Sequence, residues 1–202
     1  MRKKLFNTVV ILSIIALSLI GGLIYAGIAG KKHRKDYPVL YGDAISSAAI
    51  HYEIPANTVC AVIHTRSGWD TAYEKDGKVG LYAMTEEKYM ELAGKLDESR
   101  DTRLRWSPTV SIEFCAWEIA DCLNSFTDKS AAYAALFCGK EKVRRNITAN
   151  DGKFVLSGMD EYTQKFVRDM LAALEKYNEL YPESGGMNRT NSSATQITQK
   201  AG

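Results

Sequence analysis

A chain of 202 residues, 46% hydrophobic and 25% charged, has room for one domain and is too apolar to be wholly disordered. Its 15 Gly, 4 Pro and 4 Cys exclude a collagen-like chain or a disulfide-dense scaffold. The formal charge of +2 is uneven: residues 1–35 hold seven bases and no acid, leaving 19 bases against 24 acids beyond them. That later region, net −5, offers no basic face for nucleic acid.

After a short basic N-terminus (1–8), Val9 to Ala29 runs 21 residues without a charge. At ~1.5 Å per helical residue it would extend about 31 Å, the thickness of a hydrocarbon core. A cleaved signal peptide is the rival, with Arg2, Lys3 and Lys4 as its basic start and Gly27-Ile28-Ala29 as its cleavage site. An apolar signal region usually spans about 7–15 residues, so the length favours a retained single transmembrane helix at 9–29. Bases flank it on both sides, so charge alone gives no orientation. Residues 30–37 read as a basic linker.

Beyond Pro38 the periodicity predicts an all-α domain over 38–183. Leu40, Ile45, Ala48, Ala49 and Tyr52 recur at helical spacing. Pro55 opens a second helix carrying Val59, Val62 and Ile63, and Gly68 ends it. Residues 69–84 read as a loop. Thr85 caps a helix through Leu92, and Ser107-Pro108 opens a long one with Val110, Phe114, Trp117, Ile119 and Leu123. Asp128 caps a helix of small residues, 130–137, that stops at Gly139. Asp160 caps the last helix, striped by Phe166, Met170, Leu174 and Tyr177. A strand signal is confined to 154–156, and 184–202 reads as a disordered tail.

Other site chemistry has little support. Cys60, Cys115, Cys122 and Cys138 form no CxxC pair, so no zinc site is expected, nor any cofactor. They read as buried thiols, with one or two disulfides of unassigned pairing as the alternative. His33, His51 and His64 do not cluster, and no phosphate loop or nucleophile elbow is present. Sequons at Asn146, Asn188 and Asn191 need no explanation beyond chance.

Four segments together, across roughly 38–181, resemble the soluble lytic transglycosylase (SLT) catalytic domain, a lysozyme-like helical fold. Cys60 to Asp70, with Arg66-Ser67-Gly68-Trp69-Asp70 at its end, is similar to the family's helix ending in Glu-Ser-x-Phe/Trp-(Asn/Asp). Gly80-Leu81-Tyr82-Ala83-Met84-Thr85 resembles its Gly-Leu-Met-Gln-(Ile/Leu)-(Met/Thr) loop. Ala135-Leu136-Phe137-Cys138-Gly139-Lys140-Glu141-Lys142-Val143 matches Ala-Tyr-Asn-Ala-Gly-x-Gly-x-Val in frame. Thr163 to Val167 is similar to Thr-x-x-Tyr-Val.

The resemblance implies cleavage of MurNAc–GlcNAc bonds in peptidoglycan. The family's single Glu protonates the leaving oxygen, then as base helps the sugar's own 6-hydroxyl close an anhydro ring. Arg66 stands at that position, and a guanidinium with pKa above ~12 can do neither step. The family's Gln is Ala83, its Tyr-Asn pair is Leu136-Phe137, and its last Tyr is Phe166. Loss of the acid with four polar neighbours points to a pseudoenzyme. The expected function is a bacterial, single-pass, membrane-anchored domain on the extracytoplasmic side, binding peptidoglycan glycan strands or scaffolding cell-envelope proteins.

The alternative is an active transglycosylase with a relocated acid: Asp70, Glu74, Asp76 or Glu86. Groove candidates are Ser67, Trp69, Tyr82, Ala83, Leu136, Phe137 and Phe166. Trp69, Tyr82 and Trp106 either stack on sugars or line the core. An open cleft exposing Trp69 and Tyr82 favours glycan, and a filled one favours a protein partner.

Overall fold

A computed structural model describes residues 34–182, so the expected anchor at 9–29 and tail at 184–202 lie outside the described residues. Among the described residues no helix is long and apolar enough to cross a membrane. Contacts divide the chain between Pro38 and Val39, and the second unit holds every element below.

Among the described residues beyond Pro38, seven α-helices follow in order: α1 (Gly42–His51), α2 (Ala56–Ser67), α3 (Glu86–Leu96), α4 (Pro108–Ser125), α5 (Lys129–Cys138), α6 (Lys140–Ala149) and α7 (Glu161–Leu180). Their starts follow the capping chemistry of the sequence. The side chains of Thr85, Ser107, Asp128 and Asp160 each accept a backbone N–H from the first turn they precede. Gly68 ends α2 in the left-handed region at φ 63.

The centre of the fold is α2. Val59, Cys60, Ala61, Val62 and Ile63 are fully buried, so this helix is covered on every side. Helix α7 packs along it, and α4 packs against α1, α2 and α5. The α7 stripe that meets α2 includes Val167, Met170, Ala173 and Tyr177, at the three- and four-residue steps of one helix face. Two polar ties fix this seam: Trp69 Nε1 donates to Tyr177 Oη at 2.7 Å, and Asn57 Nδ2 donates to Asn178 Oδ1 at 3.0 Å.

The expected loop after α2 contains a small hairpin. β1 (Glu74–Lys75) pairs antiparallel with β2 (Lys78–Val79) across Asp76-Gly77, whose φ values of 52 and 74 suit a two-residue Asp-Gly turn. Val79 also bridges to Met84, which closes the loop on itself. Gly80 is required: a Cβ there would stand 2.0 Å from the Arg105 carbonyl oxygen.

Two local expectations need correction. No strand forms at 154–156, because the Asn146 amide takes the place of a partner strand. Asn146 Oδ1 accepts from Val155 N at 2.9 Å, and its Nδ2 donates to Val155 O at 3.1 Å. Helix α6 has no counterpart in the periodicity, since Val143 is its one fully buried apolar side chain. Gly139, read as a stop, both ends α5 and starts α6. All four cysteines are free thiols, three of them buried. Burial pushes Cys60 and Cys122 up to about 12, as expected of thiols that act as small hydrophobes.

Candidate functional site

The last turn of α2, the loop 80–84, α3, α4, the end of α5 and the first turns of α7 enclose a cleft of about 430 Å³. Arg66, Ala83, Leu136, Phe137 and Phe166 line it, so five positions singled out by the family motifs do converge. Ser67, Trp69 and Tyr82 lie behind its wall. Ser67 Oγ donates to Leu81 O at 2.6 Å, which ties α2 to the loop. Trp69 is held in the α2–α7 seam, 5% exposed, and Tyr82 is fully buried. The cleft is open, but the aromatic rings at its wall are Tyr73, half-buried, and Phe137, 41% exposed and stacked on Phe166 with centroids 5.0 Å apart. Trp106 is exposed elsewhere.

Arg66 is held by neighbours that suit a cation. Its Nη2 donates to the Leu136 carbonyl, and its guanidinium carbon lies 4.3 Å from the Tyr82 ring centroid and 5.8 Å from that of Phe166. Burial works against the charge, but the acidic groups of Tyr82 and Glu118 outweigh it and raise the Arg66 pKa above its ordinary value. The Arg66 side chain is therefore a permanent cation that neither accepts nor releases a proton at any working pH. Ala83 holds φ 50 at the cleft wall, a left-handed backbone for a residue other than glycine.

Glu118 and Lys88 belong to none of the sequence motifs. Glu118, on α4, is 6% exposed and is the one carboxylate that lines the cleft among the described residues. Its Oε2 accepts from Tyr82 Oη at 2.6 Å, and its Oε1 pairs with Lys88 Nζ at 2.6 Å. Burial would lower the Lys88 pKa, yet Glu118 and Glu91 together raise it. A signal for Glu118 was present: it falls four residues after Phe114 on the apolar face of a long helix, where an acid needs a partner.

None of the proposed substitute acids reaches the cleft. Asp70 is exposed and accepts from Ala72 N at 2.8 Å. Glu74 and Asp76 are exposed on the hairpin. Glu86 points to Arg105, 3.5 Å away at the surface. Among the described residues no three His, Cys, Asp or Glu side chains come together to hold a metal ion.

The family described as the Transglycosylase SLT domain matches residues 43–154, just over half of the chain. No curated protein matches. Solved structures of similar fold include the 70-kDa soluble lytic transglycosylase SLT70 of Escherichia coli, at TM-score 0.68 and 18% identity over 81% of this chain and 28% of that one. An inactive mutant of lytic transglycosylase Slt from Pseudomonas aeruginosa matches at TM-score 0.60 and 16% identity, over 71% of this chain and 24% of the other. A complex of the 70-kDa enzyme with bulgecin A matches at TM-score 0.66 and 20% identity, over 77% and 27%. This chain thus spans about a quarter of the length of those proteins.

Proposed function

Since this chain belongs to the transglycosylase SLT domain family, we propose that it binds peptidoglycan glycan strands in the cleft beside Arg66 without cleaving them. The carrying observation is the fate of the acid position. Arg66 occupies it, locked between Tyr82, Phe166 and the Leu136 carbonyl. The remaining carboxylate at the cleft, Glu118, has both oxygens engaged by Tyr82 and Lys88, an arrangement that leaves no proton aimed at a leaving group. The cleft is open, as glycan binding needs, and although Trp69 and Tyr82 are buried and not exposed in it, Phe137 at its wall suits a sugar face. The apolar run 9–29 supports a membrane anchor, and the family's peptidoglycan substrate supports placing the domain on the extracytoplasmic side.

Glu118 also carries the second reading, an active transglycosylase with a relocated acid, because no other carboxylate reaches the cleft among the described residues. Both are tested with the full chain in detergent, incubated with purified peptidoglycan, with released anhydro-muropeptides followed by mass spectrometry. The expected result is strand binding in pulldown and no product. Product from the unmodified chain that disappears in Glu118→Gln overturns the pseudoenzyme reading in favour of the second. An Arg66→Glu variant that gains activity shows that the groove still seats a strand in register. For the anchor, the expected outcome of cell fractionation is recovery of the intact chain, residues 1–35 included, with membranes.

A further inference from the structure

We propose that the cleft is a carboxylate-binding site that grips its ligand through Arg66, with Lys78 as a second cation on its wall. This rests on the reading that glycan strands occupy the cleft, and it adds which chemical group of the strand is recognised. A guanidinium carries five N–H donors in a planar fork. Arg66 spends one on the Leu136 carbonyl, and its buried Nε has no hydrogen-bond partner. The Leu136 carbonyl and the Tyr82 ring at 4.3 Å hold the group in place, so its remaining donors are already positioned. A donor array of this kind at a cleft wall is incomplete without an acceptor, and a carboxylate is the group that accepts two of its bonds at once.

The charges around it point the same way. Four charged side chains line the cleft: Arg66, Lys78, Lys88 and Glu118. Glu118 is matched by Lys88 at 2.6 Å and by the Tyr82 hydroxyl, and makes no hydrogen bond to Arg66. Lys78 is exposed on β2 and makes no ion pair among the described residues. Two positive charges are therefore left over in a domain whose net charge is negative. A neutral sugar uses neither, whereas an anion uses both.

A peptidoglycan strand has two sources of carboxylate. One is the stem peptide. The other is the lactyl group, which is amide-linked until water, in an amidase reaction, cleaves that bond to a lactyl carboxylate and the amine of the peptide. The shared chemistry is a carboxylate close to the sugar chain, and the experiment separates the sources.

The test measures binding of the full chain in detergent to chitohexaose, to stem-bearing glycan strands and to strands stripped of peptide, at low and high salt. At least one carboxylate-bearing strand is expected to bind about tenfold tighter than chitohexaose at low salt, as one charged hydrogen-bonded contact warrants. That advantage shrinks with salt. Preference for stripped strands places the carboxylate on the lactyl group, and preference for stem-bearing strands places it on the peptide. Arg66→Met abolishes the preference, and Lys78→Met, at an exposed site where little packing is lost, reduces it. Equal binding of chitohexaose and both strands overturns this inference while leaving strand binding intact. An undiminished preference in a folded Arg66→Met, or in Lys78→Met should Arg66→Met fail to fold, overturns it too. Absence of binding to all three ligands overturns the strand-binding reading itself.

Discussion

The α2–α7 seam and the cleft share two helices but are held together by different forces. In the seam, apolar side chains close around two hydrogen bonds between neutral groups, Trp69 to Tyr177 and Asn57 to Asn178. At the cleft, Glu118 pairs with Lys88 and accepts from the Tyr82 hydroxyl, while the Arg66 guanidinium lies over the Tyr82 ring. Packing of the first kind depends on volume and is indifferent to catalysis. Chemistry of the second kind depends on the identity of each side chain. The fold can thus be shared at 16–20% identity, because packing of the first kind tolerates changes of side chain that the second kind does not.

Damage confined to the seam should cost the most stability and leave the cleft unchanged. Met170 is fully buried on α7, and Met170→Ala should cost about 2–5 kcal/mol through lost burial and the cavity left behind. Thermal unfolding followed by circular dichroism reads the loss. At a temperature where the variant is still folded, strand affinity should equal that of the parent. A large affinity change in folded protein would mean that seam and cleft are not separable.

The converse change, at the cleft, is somewhat smaller in stability and larger in binding. Glu118→Ala strands the Lys88 ammonium and the Tyr82 hydroxyl, both satisfied by one carboxylate. The expected cost is about 2–4 kcal/mol, below the full range for a broken buried pair because Lys88 keeps partial contact with water. Glu118→Gln keeps an acceptor for Tyr82 and should lose less. Both remove the negative charge beside Arg66, so each should strengthen binding of a carboxylate-bearing strand while weakening the fold. Weaker binding in a folded Glu118→Gln would instead assign Glu118 a direct role with the ligand.

The seam was more legible from sequence than the cleft, for a physical reason. Helix periodicity and caps are local, so Thr85, Ser107, Asp128 and Asp160 announced their helices within four residues. Asp76-Gly77 carried a hairpin signal as strong, overshadowed by the charge of the surrounding loop. Helix α6 escaped because one buried valine makes no stripe. At the cleft, the motifs located Arg66, Ala83, Leu136, Phe137 and Phe166. Trp69 and Tyr82 have the composition of sugar-stacking rings, and only tertiary packing turns them inward. The Glu118–Lys88 pair joins residues thirty apart on two helices, a contact that no local pattern encodes.

The smallest effect is expected where the two regions meet, at the start of α7. Asp160 caps this helix by accepting from Thr163 N at 3.0 Å, and its other oxygen meets Lys142 on α6 at 2.7 Å. The Lys142 hydrogen bond first, and then those from Thr163, hold its carboxyl well below the ordinary value. A carboxylate depressed in the folded state contributes stability that is fully present above its unfolded value, about 3.9. That contribution is lost as pH falls below this value toward the folded one. Asp160→Asn should therefore melt below the parent at pH 7, and the two melting curves should converge as the pH is lowered below 3. Because Asp160 is solvent-exposed, the gap at pH 7 should also narrow in high salt. A gap that persisted at low pH would mean that the cap acts through geometry alone and that its charge has no part in joining α6 to α7.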